Sequence, residues 1–381
     1  MRIISKTFAI AAAAASVSCS GGIGTGYQGG FDHVKEPLYG TVYLKSQTTH
    51  EPEKVLVPLR LFIAKNVLVQ LNDSGEAFYN IYTLPNLYFI NTLGKRSTIE
   101  GLHVSPYAGS VRVGDKGFEI FDTGSLKELI IHFGELEISG TKHISGPTKD
   151  LIGFTMLNDS LYSIIPEPEL FKAGLESQFN DSELLIVNDN NGDIVRVGEF
   201  PPIMRDNKIE TGVKILAVNE KLRRFAILYL MQKQLKIVDF DGNILRSVAV
   251  DLPPYLNYET MSLFNNWGNY IYYIDCYCDD NYIYALCLNE KRNNYLADTG
   301  KRNSEIHIFD WNGTLLKIAK CDRPLTCFTV SEKYGYIYAC SVTYPEYLFR
   351  MPIPRLSASK ETPADEELYE AEAEPIGSFQ N

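Results

Sequence analysis

The sequence of 381 residues predicts an all-β fold: a six-bladed β-propeller of four-stranded antiparallel blades, closed by an N-terminal strand that completes the last blade. Three observations predict this fold. The chain holds 24 Tyr and 19 Phe, and its short apolar runs are separated by turn residues, as is typical of strands. A strand–turn–strand unit recurs along the chain, and no long segment has the 3.6-residue period of an amphipathic helix.

The first 18 residues are typical of a secretory signal peptide. Arg2 and Lys6 supply its positive start, and the alanine-rich apolar run that follows is too short to span a bilayer. Cys19 comes directly after small residues, as in a bacterial lipobox, where this cysteine becomes the lipidated N-terminus; two acyl chains suffice for stable anchoring. Because Ser16 stands where a lipobox usually has Leu, ordinary cleavage with an incidental Cys19 remains the alternative.

Both ends of the mature chain are expected to lie outside the packed body. Residues 19–35 are interpreted as the lipidated cysteine and a flexible, glycine-rich tether, and residues 36–355 as the propeller. Residues 356–381 are interpreted as a disordered acidic tail, because they contain seven acidic residues and one Lys. The formal charge of −11 argues against a nucleic-acid partner, since phosphate binding requires clustered Lys and Arg.

Three predicted hairpins share a turn of the form D-x-[DN]-G. Glycine tolerates a positive φ, and the Asp side chain can accept hydrogen bonds from the turn backbone. A calcium loop of the EF-hand type would also need a carboxylate five positions before the glycine and a Glu six positions after it. Those positions are apolar or glycine around the first two turns, so all three are interpreted as structural turns. Their defining residues are Asp189, Gly192, Asp239, Gly242, Asp310 and Gly313.

The repeats divide the body into six blades, with mean length near that of a propeller repeat. The polar stretch 291–303 is expected to be a loop between the second and third strands of blade five. Blade six has only three strands of its own, so residues 39–44 are expected to pair with 345–353 and close the ring; the alternative makes 39–44 the outer strand of blade one. The predicted blades are 55–94, 100–134, 151–200, 211–250, 260–321 and 325–353.

One stretch carries a resemblance to a known family. Residues 78–96 read FYNIYTLPNLYFINTLGKR, and the phrase from Tyr82 to Gly94 resembles one that recurs in an early blade of TolB-like six-bladed propeller lipoproteins from Bacteroides-type bacteria. The signal, Cys19 and the NYIY strand openings also resemble this family, and the whole resemblance covers most of the mature chain. The resemblance implies a periplasm-facing lipoprotein of the cell envelope, in the outer membrane. Its motifs are structural, so no catalytic residue is carried over.

No catalytic or metal site follows from the motifs. The six histidines have no zinc-binding spacing, and His307 is expected to be a satisfied or exposed strand residue and not a ligand. Asp275, Asp279 and Asp280 cluster near a strand end, where acids usually cap turns. On six-bladed propellers, lactone and phosphoester hydrolases hold a metal at the channel mouth, so these acids are the candidates for that alternative.

Six cysteines besides Cys19 fall in the last two blades, and Cys276-x-Cys278 lacks the spacing of a zinc ribbon or a redox motif. Cys327 and Cys340 flank a turn near residue 333, so they are expected to lie opposite each other as a cross-strand pair. Export would permit a disulfide, and two buried free thiols are the alternative.

The predicted function is a non-enzymatic binding scaffold, with its specificity in the loops around the channel. The expected partners are the lipid bilayer, through the N-terminal anchor, and an envelope protein or small ligand. No cofactor and no nucleic acid are expected. The alternative is a metal-dependent hydrolase of the lactone or phosphoester type, which would need a divalent ion at the channel mouth.

Overall fold

The computed structural model of the chain describes most of the body and neither end. The signal peptide, Cys19, the first part of the predicted tether and the tail from residue 358 onwards lie outside the described residues. The described residues are 31–50, 58–73, 75, 77–95, 106–122, 125–132, 135–144, 151–166, 182–199, 213–250, 270–291 and 303–357.

Three short N-terminal strands precede the first blade: β1 (Asp32–Val34), β2 (Thr41–Leu44) and β3 (Gln47–His50). Blade one contains β4 (Pro58–Ala64), β5 (Val67–Asn72), β6 (Ala77–Thr83) and β7 (Phe89–Lys95). Blade two contains β8 (Arg112–Val113), β9 (Gly117–Asp122), β10 (Ser125–His132) and β11 (Glu135–His143). Blade three contains β12 (Leu151–Met156), β13 (Leu161–Pro166), β14 (Ser182–Asn188) and β15 (Ile194–Glu199).

Blade four contains β16 (Lys214–Asn219), β17 (Arg224–Tyr229), β18 (Gln234–Asp239) and β19 (Ile244–Val250). Blade five contains β20 (Tyr270–Cys278), β21 (Tyr282–Lys291), β22 (Glu305–Asp310) and β23 (Leu315–Cys321). Blade six contains β24 (Cys327–Ser331), β25 (Tyr336–Cys340) and β26 (Tyr347–Pro352). The polar stretch after residue 291 connects β21 to β22, as predicted. Within the described residues, no helix has the length and apolar character needed to cross a membrane.

The first strands of the blades form a closed circuit, which confirms the six-bladed propeller. β4 contacts β24, β24 contacts β20, and β20 contacts β16, which reaches β12. A single 3-10 turn, Ala108–Ser110, lies before β8 and contacts both β12 and β4, so it completes the circuit between blades one and three. The first strand of each blade therefore lies at the central channel and the fourth at the outer edge.

An apolar cluster fills the interface between every two neighbouring blades. In β21, alternate residues such as Ile283 and Ala285 pack against blade four, whereas Tyr284 and Leu286 pack against blade six. Since both faces of such a strand are buried, its sequence is a continuous apolar run instead of an alternation with polar residues. Burial on both faces explains why the blades are recognisable in the sequence as short apolar blocks.

The D-x-[DN]-G motif forms the turn between the third and fourth strands of blades three, four and five. Oδ1 of Asp239 accepts hydrogen bonds from the backbone N–H groups of Asp241 and Asn243, at 3.0 and 2.8 Å. Asp310 binds its own turn in the same way. In blade three, Asn188 takes this role, and Asp189 instead forms an ion pair with Lys142 of blade two at 2.8 Å. The turn is therefore also a contact between blades.

Basic side chains bind this turn region of the next blade at several interfaces. Arg246 of β19 donates to the carbonyl of Asn312 in blade five at 3.0 Å. Lys317 of β23 donates to the carbonyl of Arg355, which follows β26, at 2.6 Å. Arg350 of β26 donates to a carbonyl in the turn between β6 and β7 at 3.4 Å. These contacts link blades four to five, five to six and six to one.

The ring is closed by a strand other than the predicted one. Residues 39–44 were expected to pair with 345–353, but β2 lies parallel to β23 on the outer edge of blade five, with Thr41 opposite Ile318. Instead, β3 pairs antiparallel with β26 and supplies the fourth strand of blade six. The alternative position on blade one is not observed either. The apolar side chains Val42 and Leu44 of β2 pack into the cluster between blades five and six. The closing strand β3 is held by backbone hydrogen bonds to β26, which do not require apolar side chains.

The predicted tether also ends earlier than expected. Residue 35 was its predicted last residue, but β1 pairs parallel with β19 on the outer edge of blade four, with Asp32 opposite Val248. Asp32 forms an ion pair with Arg246 at 3.0 Å. The backbone pairing and the charge together hold this segment, so β1 is part of the packed body.

We expect Gly242→Ala to destabilise the protein more than Gly192→Ala. Both glycines have positive φ, +88° and +76°, so both variants lose about 1 kcal/mol or more for the left-handed backbone. A methyl group at Gly242 would also lie 2.7 Å from Val195 Cγ1 and 3.2 Å from the backbone oxygen of Arg196 in blade three, whereas the space around Gly192 is open. Urea unfolding would measure the difference. Equal losses would show that the turn of blade four does not pack tightly on blade three.

Candidate functional site at the long-connection end

The antiparallel order of each blade gives the propeller two unlike ends. The turns between first and second strands, and between third and fourth strands, are short and lie at the same end, which we call the short-turn end. The connections between second and third strands and from blade to blade lie at the opposite, long-connection end. They include the segments 167–181, 200–213, 251–269 and 292–304. Variable, function-bearing loops of propellers are of this kind.

A buried ionic cluster lies near the long-connection end, between blades three and four. Nζ of Lys236 lies 3.0 Å from Oε2 of Glu183, and both side chains are almost fully buried. The hydroxyl of Tyr229 donates to the same oxygen at 2.7 Å. Nζ of Lys214 donates to the backbone carbonyl of Glu183 at 3.4 Å. Four strands, β14, β16, β17 and β18, thus bring two ammonium groups and a phenol to one glutamate.

The charges in this cluster shift one another's pKa values. Burial alone would raise the pKa of Glu183, but Lys236, Lys214 and the hydroxyl of Tyr229 outweigh it and hold the pKa below its usual value. The pKa of Lys214 is lowered to about 8 as the net result of burial, which lowers it most, of Glu183, which opposes the change, and of Lys236, which adds to it. A buried amine with this pKa can exchange a proton near neutral pH, which an ordinary surface lysine cannot.

A second buried network lies in blade five and ends at the same side of the propeller. The hydroxyl of Tyr273 lies 3.1 Å from Nδ1 of His307, and Nε2 of His307 lies 3.1 Å from Oε2 of Glu305. Burial lowers the pKa of His307, so the neutral ring is favoured. In that form Nε2–H donates to the Glu305 carboxylate, and Nδ1 accepts from the Tyr273 hydroxyl. His307, expected to be a satisfied or exposed strand residue, is fully buried and satisfied by two partners.

Arg60 and Asp275 join three blades at the central channel. Nη1 of Arg60, on the first strand of blade one, binds Oδ1 of Asp275 on the first strand of blade five. Nη2 donates to the carbonyl of Cys276 at 2.9 Å, and the backbone N–H of Phe328 in blade six donates to Oδ2 of Asp275 at 2.9 Å. Burial raises the pKa of the Asp275 carboxyl, while Arg60 and the N–H groups of Phe328 and Cys276 oppose the rise.

Arg112 makes the corresponding contacts at the short-turn end. Its guanidinium binds both carboxylate oxygens of Glu220 in blade four, at 2.8 and 3.1 Å. It also binds Asp159 of blade three at 2.8 Å and Glu119 of its own blade at 3.2 Å. One arginine thus satisfies three carboxylates from three blades, and these acids are engaged in structural contacts.

The three acids considered for a metal site do not converge. Asp275 binds Arg60, and Oδ1 of Asp279 accepts hydrogen bonds from two backbone N–H groups of its own turn, both at 2.7 Å. Asp280 forms an exposed ion pair with Lys221 at 2.8 Å. Among the described residues, no three His, Cys, Asp or Glu side chains are grouped as a metal site would require.

The other residues singled out from the sequence are placed as follows. Cys19 lies outside the described residues. Cys327 and Cys340 are directly opposed in β24 and β25, which is the register expected from the sequence. The glycines of the three repeated turns have positive φ, as their turn role requires.

Sequence reasoning missed the buried charges of the long-connection end. Arg60 and Lys236 each stand between two apolar residues of their strands, and Glu183 directly precedes the apolar run from Leu184 to Val187. A charged residue next to apolar residues in a strand was the signal that could have revealed these sites. A strand buried on both faces tolerates a charge only where the charge has a partner.

Comparison with known proteins supports the architecture. A family model described as TolB-like 6-blade propeller-like matches residues 41–333. A crystal structure of a DUF4221 family member from Bacteroides vulgatus is 12% identical, with a TM-score of 0.50 over 81% of this chain and 97% of that one. A Bacteroides fragilis protein described as a candidate exported protein is also 12% identical, with a TM-score of 0.50 over 85% and 99%. A search of curated proteins found no match. At this identity, the two structures share a fold with this chain.

We expect the Arg60–Asp275 pair to show strong coupling in a double-mutant cycle. Asp275→Leu leaves the arginine without its carboxylate, and Arg60→Met leaves a buried carboxylate without its cation, so each should lose about 3–5 kcal/mol of unfolding free energy. The double variant should lose much less than the sum. Asp280→Asn, which breaks an exposed pair, should leave the unfolding free energy unchanged in the same urea titrations. Additive losses would mean that the pair does not link blades one and five.

Proposed function

The chain belongs to the TolB-like six-bladed propeller family, and from this premise we propose that it is an exported, membrane-anchored protein that binds an envelope partner. The partner is a protein or a small envelope ligand, and it binds at the long-connection end. The proposal rests on the unequal chemistry of the two ends. At the short-turn end, Asp159 and Glu220 bind Arg112 of blade two, and Asp280 binds Lys221 of blade four. The long connections, such as 251–269 and 292–304, are the longer loops of the propeller, and loops commonly carry binding residues.

The buried networks support this choice of end. Glu183, Lys236 and His307 lie in the parts of their strands nearest the long-connection end, each with a fixed partner. Such networks hold the strands that flank a loop in one arrangement, since a misplaced strand would leave a buried charge without its partner. A rigid base lowers the entropy that loops lose when they bind a partner. These residues therefore support recognition without contacting the partner themselves.

Binding is better supported than catalysis. The alternative function, a metal-dependent hydrolase, depended on Asp275, Asp279 and Asp280, and each of these is engaged in a structural contact. In the tyrosine–histidine–glutamate network of blade five, the histidine and the tyrosine are fully buried, so neither side chain is exposed to a substrate. We therefore propose a role without a cofactor, and the chain's acidity favours partners other than nucleic acid.

The proposed location follows from the N-terminal sequence. A signal peptide ending before Cys19 would deliver the chain to the envelope, and lipidation of Cys19 would hold it on the outer membrane, facing the periplasm. The uncharged, glycine-rich segment that follows Cys19 suits a spacer between the lipid and the propeller.

Replacement of Cys19 tests the anchor. We expect Cys19→Ala to release the protein from membranes or to stall removal of the signal, because the alanine side chain cannot carry a lipid. Membrane fractionation and the mass of the mature N-terminus would measure both effects. Cys321→Ala, which removes a cysteine outside the signal, is the control and should fractionate like wild type. A Cys19→Ala variant that matures and fractionates like wild type contradicts the anchor.

Selective loss of a bound partner tests the proposed binding end. Envelopes from cells that produce the tagged, full-length protein would be crosslinked gently and solubilised in detergent, and the captured proteins and small molecules identified by mass spectrometry. We expect a partner that wild type retains but that is lost when residues 292–302 are replaced by a short Gly-Ser linker. Leu222→Ser, an exposed change at the short-turn end, is the matched control and should keep the partner. If Leu222→Ser loses the partner and the loop variant retains it, the partner binds at the short-turn end.

A further inference from the structure

Two cysteines face each other in the blade that closes the ring. Cys327 of β24 is the register partner of Cys340 of β25, and both are almost fully buried. Their side chains are within hydrogen-bonding distance of each other. Directly opposed residues of antiparallel strands have Cα atoms about 4.5–5.5 Å apart, which lies within the range that a disulfide spans.

The surroundings of the pair favour a bond once it has formed. Apolar side chains of blades one and six enclose the two sulfur atoms, among them Leu61, Leu68 and Leu348. Burial raises the pKa of the Cys327 thiol well above its usual value, so the folded dithiol has little thiolate with which to react. Exchange must therefore occur while the β24–β25 hairpin is still accessible, before blade one packs against it. Afterwards the same burial shields the bond from reductants.

The other described cysteines lack such a partner. Cys276 and Cys278 lie two residues apart on β20, opposite Ala285 and Ile283. Their thiols donate to backbone carbonyls of blade four, at 3.4 and 3.3 Å. Cys287 and Cys321 also lie opposite residues other than cysteine in the register of their sheets. Among the cysteines in the described part of the chain, the pairing therefore selects Cys327 and Cys340.

We propose that Cys327 and Cys340 are joined by a disulfide in the mature protein, formed by exchange with an oxidised dithiol oxidoreductase of the cell envelope. The inference rests on the proposed export, because the cytosol keeps such pairs reduced. One cysteine thiolate attacks the disulfide of the oxidoreductase, which gives a mixed disulfide and releases one thiolate of that enzyme. The second cysteine thiolate attacks the sulfur of the first and releases the other. Two electrons pass to the oxidoreductase, which takes up two protons and leaves as a dithiol.

The bond would link the first two strands of blade six. This blade has only three strands from the C-terminal part of the chain and takes its fourth from β3. A covalent link between β24 and β25 restricts the unfolded hairpin and favours its formation before the ring closes. The modification would therefore stabilise the part of the propeller whose sheet is assembled from both ends of the chain.

Counting thiols in the protein taken from envelopes tests the proposal. Cells would be quenched in acid, and the full-length protein alkylated with N-ethylmaleimide under denaturing conditions and digested with trypsin. Of the six cysteines in the body, we expect four alkylated, with peptide 321–333 linked to peptide 334–350. Cys321→Ser removes the other cysteine of peptide 321–333 and should leave the link between Cys327 and Cys340 in place. Six alkylated cysteines, or a link to any other cysteine, overturns the proposal.

A refolding experiment separates failure of the disulfide from failure of the proposed location. The denatured protein would be refolded either in a glutathione redox buffer, which allows the bond to form, or with dithiothreitol, which prevents it, and the melting temperature of each product measured. Reduction should lower the melting temperature of wild type and of the Cys276→Ser/Cys278→Ser control by several degrees, and leave Cys327→Ser/Cys340→Ser unchanged. If the protein is absent from envelopes, the proposed location fails, and this experiment decides the pairing. If reductant changes the melting temperature of all three proteins equally, the proposed Cys327–Cys340 disulfide is overturned.

Discussion

The pairing of β3 with β26 is the contact on which the other blade interfaces depend. Each sheet is apolar on both faces, so each requires a neighbour on both sides, and only a closed ring provides this for all six. Without β3, the edge of β26 would expose its backbone groups, and blade six would meet blade one with an incomplete sheet. The cluster around Leu61 and Tyr338 buries the apolar surface of this interface, and Asp275 ties blades five, six and one at the channel.

Much of the fold could be predicted from the sequence because it depends on side chains. Strands buried on both faces give apolar runs such as IYALCL in β21, and the turn glycines mark their connections. The closing strand depends on backbone hydrogen bonds, which leave no such pattern. Residues 47–50 read QTTH, a sequence with no apolar signal, whereas Val42 and Leu44 gave β2 the alternation of a half-buried strand. The prediction therefore placed an N-terminal strand in blade six, as observed, but chose the wrong segment.

The buried charges were harder to predict than the strands. A lone Glu or Lys in an apolar strand signals a buried partner, but the partner lies on another blade and has no fixed spacing in the sequence. Glu183 and Lys236 are separated by 53 positions, and Arg60 and Asp275 by 215. Only the order and rotation of the blades bring them together. Cys19 is the opposite case, because its interpretation as a lipid-attachment site rests on the local sequence alone and does not depend on the fold.

The path of the N-terminal segment determines how the propeller would respond to mechanical load. β1, β2 and β3 lie in succession on the outer edges of blades four, five and six, so tension applied at residue 31 reaches them one after another. β1 has three residues and β2 has four, and both could detach while every blade keeps four strands, because β3 stays paired with β26. Only the loss of β3 opens the ring. The first two strands would therefore absorb a pull on the N-terminal segment before the load reached the strand that holds the propeller closed.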